Sequence, residues 1–371
     1  MRRWIVVVAV FLIACSPTTA RPVTSPGVLP STFAPPPSSN PNPSSNPNPS
    51  SNPNPSSSPS PFPDLPLSTL GFSCRLPIYV QVQGSPIQDG FVSFPGNAVA
   101  VDPNGKQGMY YDRAFSRWLP VARTSVSPDG AHYAYAEIGQ QTGEFFVHVM
   151  DVATGIDHSF RELASAAGIS AQPVVFDYSA DGIYLVEAFE VVWSGLWLVD
   201  PKTGSIHQVS DISTPRLSAG SGVFWYGTVN PADPNPFSTR SSGGVYPDEL
   251  DRLDLRSGSR TTWLYRPGMG IDFLGLDVLG RPLIRLVAPG KDQNIAGQDF
   301  FDHSASELLI ALNSTSQRSI QKGEIVETLG GPVADSHGVW FGSPHGIYLY
   351  SDANGLQKVS NQPGNPANGC F

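Results

Sequence analysis

The chain reads as an all-β protein, a β-propeller of six blades with seven as the alternative, preceded by a disordered Pro/Ser/Asn-rich tether. Three observations predict this. A strand–turn–strand unit recurs six times within residues 67–371, its anchor positions lie 39, 49, 54, 59 and 38 residues apart, and residues 16–66 offer almost nothing that a core could bury. Spacings of about 40 to 50 residues with several short strands per unit mark propellers, and insertions lengthen some intervals.

At the start, Arg2 and Arg3 precede an apolar run from Trp4 to Ala14. Two cations and a run too short to span a bilayer make a secretory signal. The run closes on Leu12-Ile13-Ala14-Cys15, which resembles the lipobox of bacterial lipoproteins. That resemblance implies cleavage after Ala14, residues 1–14 as the signal peptide, and a lipidated Cys15 as the first mature residue. Two or three acyl chains, at about 0.8 kcal/mol per buried CH₂, anchor far more firmly than one. The expected location is the extracytoplasmic face of a bacterial membrane.

Residues 15–66 follow as the linker. Ser-Ser-Asn-Pro-Asn-Pro repeats at Ser38, Ser44 and Ser50, and 17 of the 37 prolines lie here, so the segment cannot offset its conformational entropy by burial. Polyproline-like extension sets its reach at roughly 160 Å or less.

The repeats fill residues 67–371. Their anchors are Met109-Tyr-Tyr-Asp112, Val147-His-Val-Met-Asp151, Leu196-Trp-Leu-Val-Asp200, Leu250-Asp-Arg-Leu-Asp254, Leu308-Leu-Ile-Ala-Leu-Asn313 and Ile347-Tyr-Leu-Tyr-Ser351. Asp151, Asp200 and Asp254 each open a five-residue turn ending in Gly155, Gly204 and Gly258; Asp accepts its own turn's amides and Gly takes the positive φ. A second turn, Ser127-Pro-Asp-Gly130 and Ser179-Ala-Asp-Gly182, precedes two of the copies. On these residues the chain resembles the WD40-like repeat of the periplasmic TolB protein and its relatives, over about residues 97–361. The resemblance implies the fold and leaves the activity open.

By this reading the blades divide near 88–121, 122–165, 172–211, 215–266, 270–322 and 330–360. Leu76–Val82 is an extra strand that could pair with the last blade. Phe160–Ala167 is the one short helix expected. Trp118, Trp197, Trp225, Trp263 and Trp340 fall within strands and are expected to pack between blades. Cys74 and Cys370 stand at the two edges of the repeat region of an exported chain and form a disulfide candidate.

Net charge is −9, and it deepens to −11 once Arg2 and Arg3 leave with the signal. With no basic run, nucleic acid is not an expected partner. Gly-x-Ser-x-Gly, His-Glu-x-x-His and Cys-x-x-Cys are all missing, and Asp102-Pro-Asn-Gly105 reads as a plain turn because Lys106 stands where a calcium loop needs oxygen. No metal or cofactor and no linear catalytic motif is expected. Propeller enzymes gather groups from distant blades, so a hydrolase or lyase acting in the central channel stays as the alternative.

The leading expectation is a monomeric binding or scaffolding module for an extracytoplasmic protein, peptide or glycan. The long connectors 229–249 and 288–306 of blades 4 and 5 carry its candidate residues: Phe237, Arg240, Tyr246, Phe300, Phe301, Asp302 and His303, with Trp193 expected on a loop beside them. Aromatic rings among charges on a long loop suit recognition.

Overall fold

The computed structural model describes residues 65–371, apart from 81–87, 106–108, 139–143, 161–171, 190–191, 215–216, 221, 233–246, 290–300, 314 and 324–329. These residues belong to the compact unit Pro59–Phe371. Among the described residues the regular structure is twenty-five strands and one 3₁₀ turn, Arg123–Ser125, with no α-helix. The expected helix lies outside them, except that Phe160 ends a strand.

Blade 1 contains β1 (Cys74–Val80), β2 (Gln88–Phe94) and β3 (Ala98–Val101). A hairpin of β4 (Tyr110–Asp112) and β5 (Arg117–Leu119) follows. Blade 2 is β6 (His132–Ile138), β7 (Phe145–Asp151) and β8 (Asp157–Phe160), with an innermost strand reduced to one bridge, Val126 to Tyr133.

The remaining blades are four-stranded antiparallel sheets. Blade 3 is β9 (Gln172–Ser179), β10 (Gly182–Phe189), β11 (Val192–Val199) and β12 (Ile206–Thr214). Blade 4 is β13 (Leu217–Gly220), β14 (Val223–Thr228), β15 (Glu249–Asp254) and β16 (Arg260–Tyr265). Blade 5 is β17 (Gly270–Leu276), β18 (Pro282–Pro289), β19 (Phe301–Ala311) and β20 (Gln317–Lys322). Blade 6 is β21 (Gly330–Asp335), β22 (Gly338–Ser343), β23 (Gly346–Ser351) and β24 (Gly355–Ser360). In each, sequence order is spatial order.

The ring closes on the chain's own end: β25 (Asn365–Pro366) pairs with β1 as the innermost strand of blade 1, giving the order β25-β1-β2-β3. Cys74 and Cys370 are joined by a disulfide beside this closure. This corrects two expectations. The described part of Leu76–Val82, up to Val80, belongs to blade 1 rather than to the last blade, and Leu67–Ser68 reaches the last blade, where the Ser68 amide donates to the Lys358 carbonyl of β24 at 2.8 Å. Residues 110–119, placed within the first blade by the 88–121 boundary, form a wedge between blades 1 and 2 instead.

Alternation along the strands supplies both faces of every blade, so each interface is a layer of apolar side chains. Leu76, Ile78, Val92 and Phe94 of blade 1 meet Trp340, Leu349 and Val359 of blade 6. Corresponding layers join blades 2 and 3 around Trp197, 3 and 4 around Tyr226, 4 and 5 around Trp225, and 5 and 6 around Phe341. Between blades 1 and 2 the wedge contributes Tyr111 and Trp118 to one side and Leu119 to the other. Six layers therefore close the circle.

Candidate functional site

Connectivity gives the ring two unlike rims. First-to-second and third-to-fourth strand turns share one, and they are short. In the turn after β7, Asp151 Oδ1 accepts from the Thr154 amide at 2.7 Å and the Thr154 hydroxyl at 2.8 Å. Asp254 Oδ1 does the same for Ser257, both at 2.8 Å, and Gly258 closes the turn with φ 69°. Backbone donors hold the carboxyls of Asp151, Asp200 and Asp254 below the usual carboxylate range. Hydrogen bonding to the charged form has that sign.

Second-to-third strand connectors share the opposite rim with the crossovers. Blade 6 needs only residues 344–345 there, whereas blade 4 uses 229–248 and blade 5 uses 290–300. The described base of the blade 4 connector is polar and buried. Asp248 Oδ1 accepts from the Asn230 amide at 2.7 Å, and Glu249 Oε2 accepts from the Asn230 side chain at 2.6 Å. One residue at the connector's start is thus held by two acids at its end. Thr262 of β16 donates to Glu249 Oε1 at 3.0 Å.

Two residues along β15, on the same face by strand alternation, lies Asp251, with no solvent exposure. Arg260 grips its Oδ2 through Nε at 3.0 Å and an Nη at 2.5 Å, and the Thr228 hydroxyl adds a bond of 3.2 Å. The guanidinium also lies 5.3 Å above the Tyr226 ring. Burial first, and then the Asp251 charge beside it, raise the Glu249 carboxyl above the ordinary range. Burial also pushes the Tyr226 phenol up to about 12. Chemically this is a pair of buried carboxyls, built into the foot of a long connector and tied on one side to an arginine.

The placement of the sequence candidates is mixed. Trp193 lies within β11, paired with Ala188 and Thr214, and not on a loop: Ser194-Gly195 resembles a turn, but β11 carries it through a bulge. Phe301, Asp302 and His303 lie in β19, where Phe301 pairs with Pro289 and Asp302 with Ala288, so the blade 5 loop is shorter than 288–306. Phe237, Arg240, Tyr246, Phe300 and Cys15 lie outside the described residues. Asp251 was visible only as a repeat residue; its placement two positions after Glu249 on one strand was the signal that could have found the pair.

Around the channel the innermost strands are β9, β13, β17, β21 and β25, with the Val126 bridge in blade 2. Asp177 of β9 is partly covered, and burial raises its carboxyl up to about 6. Asp272 of β17 is paired with Arg285 of β18. Asp102 forms a plain turn, accepting from the Asn104 amide at 2.9 Å and from the Trp118 indole at 3.1 Å. Among the described residues no His/Cys/Asp/Glu group has the arrangement of a metal site.

No protein-family model matches the chain, and no curated protein matches it. Among solved structures it is similar to the hydrazine synthase of Kuenenia stuttgartiensis, at 12% identity over 71% of this chain and 70% of that chain, with a TM-score of 0.40. It is also similar to the β-propeller domain of the Trilobed protease from Pyrococcus furiosus, described as having an open velcro topology (10% identity, 64% and 71% coverage, TM-score 0.36). A third is an oligogalacturonate lyase in complex with manganese (11% identity, 75% and 71% coverage, TM-score 0.36). Likeness at this level identifies no family, and the propeller assignment stands on the strand order itself.

Proposed function

We propose that this chain is an exported lipoprotein, anchored through an acylated Cys15, whose propeller binds a protein, peptide or glycan on the rim of long connectors. The observation that carries the binding reading is the base of the blade 4 connector. Asp248 and Glu249 clamp Asn230, so the connector starts and ends at a fixed place beside blade 5. A rigid scaffold presenting a long connector is the usual arrangement for recognition. The Cys74–Cys370 disulfide suits an oxidising compartment, in keeping with export.

The test is capture from envelope extract by the full chain, compared with variants in which residues 233–246 or 290–300 are replaced by a short Gly-Ser bridge. Loss of the captured species with either replacement is expected; unchanged capture overturns the rim assignment. The anchor is read separately, by the mass of the amino-terminal peptide and by release of Cys15→Ser into the soluble fraction.

One observation favours a second reading, a hydrolase or lyase in the channel. Asp177 stands on an innermost strand with its carboxyl near 6, in the range useful for acid–base work. Glycosidic and peptide substrates turned over by the wild type and not by Asp177→Asn would establish it.

A further inference from the structure

The short-turn rim carries apolar side chains where its own repeats carry polar ones. At the first-to-second strand turn, blades 2, 3 and 6 place Pro128-Asp129, Ala180-Asp181 and Ser336-His337, while blade 5 places Val278 and Leu279, which are 56% and 70% exposed. At the third-to-fourth strand turn, the residue whose carbonyl accepts from the first Asp amide is Ser205 in blade 3 and Ser259 in blade 4, but Ile156 in blade 2, 55% exposed. Phe115, at the tip of the β4–β5 wedge and also exposed, joins Ile156 at this end: Arg117, two residues on, donates to the Val152 carbonyl of the same turn.

The blade 5 tip is rigid. Asp277, buried, accepts from the amides of Leu279 at 2.9 Å and Arg281 at 2.8 Å, and Gly280 closes the turn with φ 72°. Arg281 pairs with Asp277 and with Asp352 of blade 6, and Arg318 pairs with Asp352 as well, so the charges around the tip are matched. Fixing two large apolar side chains in water costs solvation that a turn of Ser and Asp avoids.

Position decides what would cover them. In a six-membered ring, blades 2 and 5 stand opposite one another. A pocket in a partner protein takes one tip, whereas a broad flat surface with an apolar layer beneath it meets both at once. From this geometry we infer that the short-turn rim docks on a lipid bilayer, with Val278 and Leu279 on one side and Ile156 and Phe115 on the other entering the headgroup boundary. Lys202 and Arg256, exposed in the turns of blades 3 and 4, offset the carboxylates of Asp200 and Asp254 beside them, so these turns bring no net charge to the headgroups. So few apolar groups hold a freely diffusing protein poorly, but a tethered domain meets the surface at high effective concentration. Docking this way turns the long connectors outward. The inference rests on the lipid-anchor part of the proposed function.

The experiment supplies the anchor itself, so that failure of docking and failure of natural lipidation are read apart. The chain from Cys15, with Cys74 and Cys370 bridged, is coupled through the Cys15 thiol to a maleimide lipid in a supported phosphatidylcholine bilayer and studied by neutron reflectometry. The expected profile places the protein layer directly on the headgroups. Val278→Asp with Leu279→Asp, and separately Ile156→Asp, are each expected to open a hydrated gap or tilt the layer, whereas Ala180→Asp at the corresponding turn of blade 3 leaves it unchanged. A hydrated gap under the wild type, or a profile that neither tip substitution alters, overturns the inference. These side chains are exposed, and an unchanged unfolding midpoint confirms that each variant retains its fold.

Discussion

Strand β15 carries acids to both rims, and the contrast between its two ends explains what each rim does. At its short-turn end Asp254 is only half-buried, accepts three hydrogen bonds from Arg256 and Ser257, and is stabilised as an anion. At its other end Glu249 and Asp251 are buried side by side, and one of them is pushed toward its neutral form. The same chemical group thus builds a rigid bend where water reaches it and a buried, hydrogen-bonded foot where water does not. Charge in water costs little and can be used for local geometry; buried charge must be matched from elsewhere in the fold.

The coarsest way to break this contrast is to open the ring that holds both rims. Cys74 and Cys370 are separated by 296 residues. In the chain-entropy account a loop of that length stabilises by about 5 kcal/mol. Cys74→Ser with Cys370→Ser is expected to lower the urea midpoint more than any rim substitution below, and a shift under about 1 kcal/mol would show that the interblade layers close the circle unaided.

A narrower break compares two arginines. Arg260 matches a fully buried Asp251, whereas Arg318 pairs with a half-exposed Asp352 at 2.5 Å. Removing the partner of a buried charge costs about 3 kcal/mol; an exposed pair contributes less than about 1 kcal/mol. Arg260→Ala should therefore destabilise strongly at pH 7 and Arg318→Ala barely. Equal losses in chemical unfolding would mean that Asp251 is hydrated and that the two rims do not differ.

How much of this was readable from the residues follows the range of the interactions. The Asp-to-Gly turns were legible because donor, acceptor and glycine lie within five residues. Blade number followed from their spacing. The closure was not legible, since Asn365–Pro366 is too short to show alternation and acts only through its pairing with Ile78 and Tyr79. The β4–β5 wedge was misassigned because its alternation is that of any blade strand, and only its packing against Phe91 and Ala367 separates it. Glu249 and Asp251 were one strand step apart in plain view, but Arg260, Thr262 and Asn230 reach them through pairing and a connector fold that no local pattern encodes.

Acid titration sharpens the contrast with a sign. For Asp177, ordinarily near 3.8 and about 6 in the fold, the native state binds the extra proton between those values, so its contribution falls as pH rises from about 4 to 6. Glu249 follows the same direction. Asp151, Asp200 and Asp254 run oppositely: their stabilisation is present above the ordinary carboxylate value and is lost as pH drops through their lowered ones. Asp177→Asn is expected to stabilise by about 3 kcal/mol at pH 7 and by less than about 1 kcal/mol at pH 4. Thermal midpoints at the two pH values measure it, and a gain independent of pH would assign the effect to packing rather than to the charge.

The finest probe asks whether the two ends of β15 are mechanically separate. Gly258 has φ 69°, a conformation in which a Cβ is strained, so Gly258→Ala should cost about 1 kcal/mol. Apart from its two chain neighbours, no residue has an atom within 4 Å of the added Cβ, so the cost belongs to the backbone of that turn. Carboxyl titration followed by nuclear magnetic resonance should then show Asp254 moving toward the ordinary value as its amide donors shift, with Glu249 unchanged. If Glu249 moved too, strain would be passing along the strand from one rim to the other, and the connector at its far end would answer to events on the short-turn face.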